Sequence, residues 1–364
     1  MKTRAALFHG PGRPLDVKEI ELEDARPGEV LVRMAAVGIC GTDLHIVKGE
    51  WQRPTPMVLG HEGAGVVEAV GEGVETLVPG DEVVLSWAPG CGQCADCERR
   101  RPAACTRLQR AIAAGTLPDG TTGMALDGEK VYRGTATGAL VERLTVRADV
   151  ALPIAGGIPV DEAALLGCAA LTGVGAVLFQ ARVSEGASVL VVGAGGVGQF
   201  VVQGARIAGA GAIVCVDPIE GRLQQVRELG ATAAVTPEAL TETMRATFPD
   251  GADYSFDAVG NPDTSALALR WTRNGGTCVL VGLPSAGARL DLDPADFTRR
   301  EKFLTGSMYG SEDPAVALPV LLAHVRAGRL LLEPLVGPRY SLDDVNEAIE
   351  ASLDGSPGRV LVTP

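Results

Sequence analysis

The sequence predicts an α/β fold in two domains, one β-rich and one a doubly wound parallel sheet, and three observations carry that expectation. The chain has 364 residues, more than one hydrophobic core usually supports. Up to about residue 150, short β-branched runs such as Glu29 to Met34 and Gly63 to Val70 are bounded by turn formers, as strands are. From Ser188 the rhythm changes to strands alternating with helical segments, which is the pattern of a parallel sheet.

That alternation reads Ser188 to Val192 as strand, Gly198 to Ala208 as helix, Ile213 to Val216 as strand and Gly221 to Leu229 as helix. Tyr254 to Asp257, Thr277 to Val281 and Phe303 to Ser307 extend the same sheet. Beyond Tyr309, Pro314 to Ala327 reads as helical and Leu342 to Leu353 as an amphipathic helix. Arg359 to Val362 is a terminal strand expected to return to the first domain.

Net charge of -13 argues against nucleic acid as a partner, because that binding relies on clustered Lys and Arg. A small anionic cofactor remains compatible, since helix N-termini hold phosphates whatever the net charge. The apolar runs are too short to cross a bilayer, so no membrane partner is expected. No cleavable apolar leader follows Met1, and eight cysteines without one suggest a reducing, cytoplasmic setting.

Cys91, Cys94, Cys97 and Cys105 lie in CGQCADCERRRPAAC, close enough for four thiolates to converge. A closed shell of four cysteines suits a structural zinc, in preference to two disulfides or an iron-sulfur cluster. A second set is dispersed: Cys40 in GICGTDLH, His61 in GHEGAG and Cys168 in LLGCAALTG. Two thiolates and one imidazole leave a tetrahedral metal one open position, which a catalytic zinc requires. Cys215 and Cys278 fall inside expected strands and read as core residues, while His9 and His324 have no ligand context.

Gly193, Gly195 and Gly198 form GxGxxG in VLVVGAGGVGQF, directly after an apolar strand and opening a helix. In that context the glycines serve a tight turn, backbone approach to a pyrophosphate, and packing of helix on strand. Asp217 follows at the end of the next strand, where a carboxylate accepts from ribose hydroxyls and repels a 2′-phosphate. NAD is therefore expected in preference to NADP.

The two cysteine sets, the GHE motif and the fingerprint together resemble the zinc-containing alcohol dehydrogenases of the medium-chain dehydrogenase/reductase family, almost end to end. The resemblance implies a GroES-like β-barrel catalytic domain from residues 1–169 and 309–364, with a Rossmann domain inserted at 170–308. It implies two zinc ions per subunit, NAD as hydride acceptor, and reversible oxidation of a primary alcohol to its aldehyde. Thr42 and His45 match the family's proton-relay positions. Asp43 and Glu62, beside ligands, are expected to orient His61, and Glu62 has a possible place on the metal itself. The same resemblance sets Thr172 near the nicotinamide amide, Arg222 beside the adenosine ribose, Arg359 at the pyrophosphate, and Trp51 and Trp87 around the substrate pocket. Gly41 departs from it: relatives often carry Arg or His there, so the lost cation should weaken cofactor binding.

A homodimer through the Rossmann edge strand, or a homotetramer, is likewise implied. The competing substrate class is a hydroxymethyl thiol, as for a thiol-adduct formaldehyde dehydrogenase, whose loop length the Asp119 segment matches. Polyol and threonine dehydrogenases of the family commonly have Glu where Cys168 stands. A non-catalytic dinucleotide-binding protein is the reading from another class, and the intact ligand set argues against it.

Overall fold

The computed structural model describes residues 1–154 and 156–364. The chain divides into two compact units, one of Met1–Cys168, Asp313–Leu322 and Val336–Pro364, the other of Ala169–Glu312 and Ala323–Leu335. The first break falls directly after Cys168. Residues 323–335, expected with the catalytic domain, group with the second unit: Gln203 holds Leu331 by hydrogen bonds in both directions, and Arg206 reaches the carbonyl of Arg329.

In the first unit, among the described residues, two mostly antiparallel sheets surround one apolar core. The larger is organised on Glu29–Gly38, whose alternating buried positions Val30, Val32 and Met34 face that core. Glu62–Val70 and Arg143–Arg147 pair with it, and the C-terminal strand Arg359–Thr363 joins through Leu361 against Gly38 and Val362 against Val37. The other sheet is built on Lys2–Phe8 and Asp16–Leu22, a pair not anticipated because the alternation is interrupted: Ala5 to Phe8 are buried in succession, and Lys18 and Glu19 are exposed in succession.

The second unit holds a parallel sheet in the order Ala233–Val235, Ala212–Val216, Ser188–Val192, Ala252–Asp257, Thr272–Leu280 and Phe303–Gly306. Residues 189–192 and strand Ala212–Val216 are continuous apolar runs, as buried parallel strands are. Strand order reverses between Ser188–Val192 and Ala252–Asp257, and ligands of open α/β sheets bind beyond the strand ends at such a reversal. The GxGxxG loop leaves the first of these strands and opens helix Gly196–Ile207. Thus the expected α/β class, one barrel-like unit and one doubly wound sheet, is the one observed.

Candidate active site and metal centres

Cys40 ends the segment after strand Glu29–Gly38 and caps the short helix Gly41–Val47. Asp43, fully buried, locks this corner by accepting from the amides of Cys40 and Gly60, each at 3.0 Å. The same carboxylate faces His61 Nδ1 at 3.4 Å, which turns Nε2 toward the thiols. Cys168 follows the turn Ala164–Gly167 and brings its Sγ to 3.5 Å from His61 Nε2. Cys40, His61 and Cys168 are all buried, and their ligand atoms lie within 4.8 Å of one another.

The donors fit zinc. With Zn–S near 2.3 Å and Zn–N near 2.0 Å, a tetrahedron has sulfur–nitrogen edges of about 3.5 Å, matching the Cys168–His61 separation. Their electrostatics call for a cation as well. The hydrogen bond from Cys168 holds the Cys40 thiol well below its ordinary range despite burial. That same bond, together with burial, pushes Cys168 well above it. Burial pulls His61 down, but Asp43 and Cys40 outweigh it and hold the imidazole well above its usual value. A dication offsets the charge that the pair of thiols otherwise resolves by sharing a proton.

Glu62 does not orient His61. Its two oxygens accept from Arg359 Nε and Nη2, both at 2.9 Å, while Arg359 Nη1 donates to the carbonyl of Ile39. Burial opposes the Arg359 charge, but Glu62, Cys40 and Cys168 together raise its pKa further. The physical reason is register: Glu62 stands opposite Gly38, where a Cβ would lie 2.6 Å from Glu62 Oε1. Only glycine leaves room for the carboxylate there, and a buried carboxylate requires a counter-charge. Arg359, expected at a pyrophosphate, thus has three of its five donors committed to the floor of the metal site.

Thr42 and His45, both half-buried, are three residues apart on helix Gly41–Val47 and so share a face. Gly41 opens the helix, and a side chain there would meet nothing within 4 Å. Trp51 stacks on His45, with ring centroids 4.6 Å apart and planes 15° from parallel. Trp87 is 7% exposed and stands edge-on to His61 at 6.4 Å. Trp87 also lines a cavity of about 20 Å³ shared with Leu108, Leu117, Val146 and Val150.

Cys91, Cys94, Cys97 and Cys105 form the other set, with ligand atoms again within 4.8 Å of one another. Cys94 caps helix Ala95–Glu98 and Cys105 caps Thr106–Ala114, so the local turns aim the thiols inward. Cys94 and Cys97 Sγ are 3.5 Å apart, against about 3.8 Å for a zinc tetrathiolate edge. The Gln93 amide and the neighbouring thiols draw Cys91 down to about 6, while burial pushes Cys97 up to about 11. All eight cysteines are free of disulfides.

In the second unit, Gly193 has φ +95°, and a Cβ on Gly198 would lie 1.8 Å from the Gly193 carbonyl oxygen, so the turn admits only glycine at that close approach. Gly195 faces open space and caps helix Gly196–Ile207 with no side chain on the first-turn amides, which stay available to an anion. Asp217 accepts from the amides of Ala194 and Ile219 and keeps lone pairs for further donors. Arg222 lies 3.8 Å from it with Nε buried and unpartnered, so the donor set suits an oxygen-rich ligand. Thr172 is half-buried in helix Ala169–Gly175, four residues after Cys168.

Comparison with known proteins agrees with this layout. Residues 26–156 match the alcohol dehydrogenase GroES-like domain and residues 196–323 the zinc-binding dehydrogenase domain. The S-(hydroxymethyl)glutathione dehydrogenase of Photobacterium damsela subsp. piscicida is 34% identical over 369 residues, covering 100% of both chains. The NDMA-dependent alcohol dehydrogenase of Amycolatopsis methanolica is 35% identical over 360 residues, 98% of this chain and 97% of that one. Among solved structures, benzyl alcohol dehydrogenase from Acinetobacter calcoaceticus superposes with a TM-score of 0.94 at 27% identity, over 100% and 99% of the two chains. The chain belongs to the zinc-containing alcohol dehydrogenases of the medium-chain dehydrogenase/reductase family. It is accordingly a zinc-dependent, NAD-linked oxidoreductase acting on small alcohols or aldehydes.

Proposed function

We propose that the dispersed set of Cys40, His61 and Cys168 is the catalytic centre for primary alcohol oxidation, and that the four-cysteine lobe is structural. The carrying observation is the contrast between a three-donor set with a free tetrahedral position and a four-donor set without one. Zinc held by the three donors supplies a Lewis acid that acidifies an alcohol hydroxyl, and NAD supplies the hydride acceptor. Thr42 receives the hydroxyl proton through its own oxygen, and His45 on the same helix face carries it toward solvent. Asp43 holds His61, and Arg359 with Glu62 braces the strand ends beneath. Gly193, Gly195 and Gly198 admit the pyrophosphate, Asp217 and Arg222 the adenosine ribose, and Thr172 the nicotinamide amide.

The preference for NAD rests on Asp217. Asp217→Ser removes a hydroxyl acceptor and the charge opposing a 2′-phosphate, so the ratio of kcat/KM for NAD over NADP is expected to fall by about tenfold or more. Steady-state kinetics with both cofactors checks this, and an unchanged ratio places Asp217 away from the ribose.

A hydroxymethyl thiol is the second substrate reading, favoured by the name of the Photobacterium relative. Against it, Asp119 is engaged by Arg26 and Thr121 on the barrel surface, and two tryptophans crowd His45 and His61. A panel of ethanol, benzyl alcohol and a hydroxymethyl thiol separates the readings: the flat alcohol is expected to have the highest kcat/KM. With a branched secondary alcohol added to the panel, Trp87→Ala is expected to shift preference toward it by about 1–3 kcal/mol. Uniform loss across substrates with a lower Tm would make Trp87 a core anchor instead.

The edge strand Phe303–Gly306, with Phe303 62% exposed, supports a homodimer through that edge. No single described helix is long and apolar enough to cross a membrane. Eight unbridged cysteines support a cytoplasmic setting.

A further inference from the structure

The loop after helix Gly41–Val47 folds back on the helix: the amides of Glu50 and Trp51 both bond to the carbonyl of His45, at 2.9 and 3.2 Å. That return places two side chains against the imidazole and a third over the tryptophan that stacks on it. Glu50 Oε2 lies 2.5 Å from His45 Nδ1, Trp51 stacks on the ring, and the Arg53 guanidinium sits 5.7 Å from the centre of the Trp51 ring. The His45 and Glu50 side chains are 23% and 32% exposed, so both keep a route to water.

We propose that Glu50 is a positioning residue for proton removal: it holds His45 as the Nδ1–H tautomer, leaving the Nε2 lone pair as the base. A carboxylate has no proton to give and two oxygens to accept with, so its contact with Nδ1 requires the hydrogen on that nitrogen. Without such a partner, neutral imidazole divides between two tautomers, and one of them presents an N–H where the base is needed. The ring is held in plane by Trp51, so the carboxylate selects the tautomer while the stack selects the orientation. In the transfer, Nε2 gains the proton arriving by way of Thr42, the imidazolium is compensated by the Glu50 carboxylate, and the proton leaves to water. This inference rests on the relay reading of Thr42 and His45, and adds a residue that the His45 motif alone does not contain.

The test combines kinetics with the nitrogen shifts of the imidazoles, which report the tautomer directly. The chain has four histidines, so 15N-histidine labelling of the zinc-loaded enzyme gives few signals, and His45→Gln assigns the relevant one. At alkaline pH the His45 signals are expected to show a protonated Nδ1 and a bare Nε2. Glu50→Ala should mix in the Nε2–H tautomer and lower kcat about tenfold, with KM for alcohol nearly constant. Glu50→Gln, which still accepts from Nδ1–H, should recover most of both. If Glu50→Ala leaves tautomer and kcat unchanged while His45→Gln lowers kcat, the assignment of Glu50 is wrong and the relay stands. If His45→Gln itself has full kcat, the relay and this inference fall together. A melt of each variant separates these outcomes from unfolding.

Discussion

Cys168→Ser is expected to lower alcohol turnover by about three orders of magnitude while leaving the fold intact. The Lewis-acid contribution of a catalytic zinc is several kcal/mol, and about 4 kcal/mol corresponds to a thousandfold in rate. Cys168 sits at the end of the turn Ala164–Gly167, whose Ala164, Leu165 and Leu166 are fully buried, so packing rather than metal holds the backbone there. Serine keeps the size of the side chain. Tm should therefore move by no more than about 2 °C, with zinc content dropping toward one per chain. Undiminished turnover in this variant would remove Cys168 from the catalytic centre.

Cys97→Ser should do the reverse. The lobe has little apolar core of its own: Cys91, Cys94 and Cys97 are only half-buried, and helix Ala95–Glu98 has no buried residue. Metal bonds are thus the main cross-links of this segment, and losing one converts metal affinity into lost folding free energy. A cost of about 3–5 kcal/mol is expected, which lowers Tm by about 10 °C in a domain of this size. Protein that remains folded should keep kcat near wild type, because the lobe contributes no donor to the dispersed set. Thermal melts with zinc analysis check this. A variant with unchanged Tm and one zinc fewer would show that the lobe folds without its metal.

Much of this site was legible in the sequence because metal chemistry restricts residue types. Thiols at two-residue spacing and GxGxxG at a strand end carry their geometry in the chain, and Asp43 was readable from its place beside Cys40. The Glu62–Arg359 pair was not, because it depends on the register between a strand at residue 62 and one at the chain terminus. Local sequence holds no record of that register. Glu50 was missed for a different reason: its signal, a carboxylate five residues beyond a histidine, becomes informative only when the chain reverses at Lys48 and Gly49. Helices Pro237–Thr247 and Pro262–Arg270 were not legible either, although proline opens both and Asn261 caps the second, because each buries only two positions and so has a weak apolar period. The return of residues 323–335 to the second unit depends on side-chain bonds such as Gln203 to Leu331, which no periodicity foretells.

On the proposed assignment the dispersed zinc, and not the lobe zinc, runs the chemistry. That assignment is tested most directly by measuring the initial rate of NADH formation from benzyl alcohol as zinc is restored to wild-type protein from one to two ions per chain. The rate is expected to be near zero at one zinc, with the ion in the four-cysteine lobe, and to rise in proportion to the second. Full turnover at one zinc per chain, with the lobe occupied and Cys40, His61 and Cys168 empty, would contradict it.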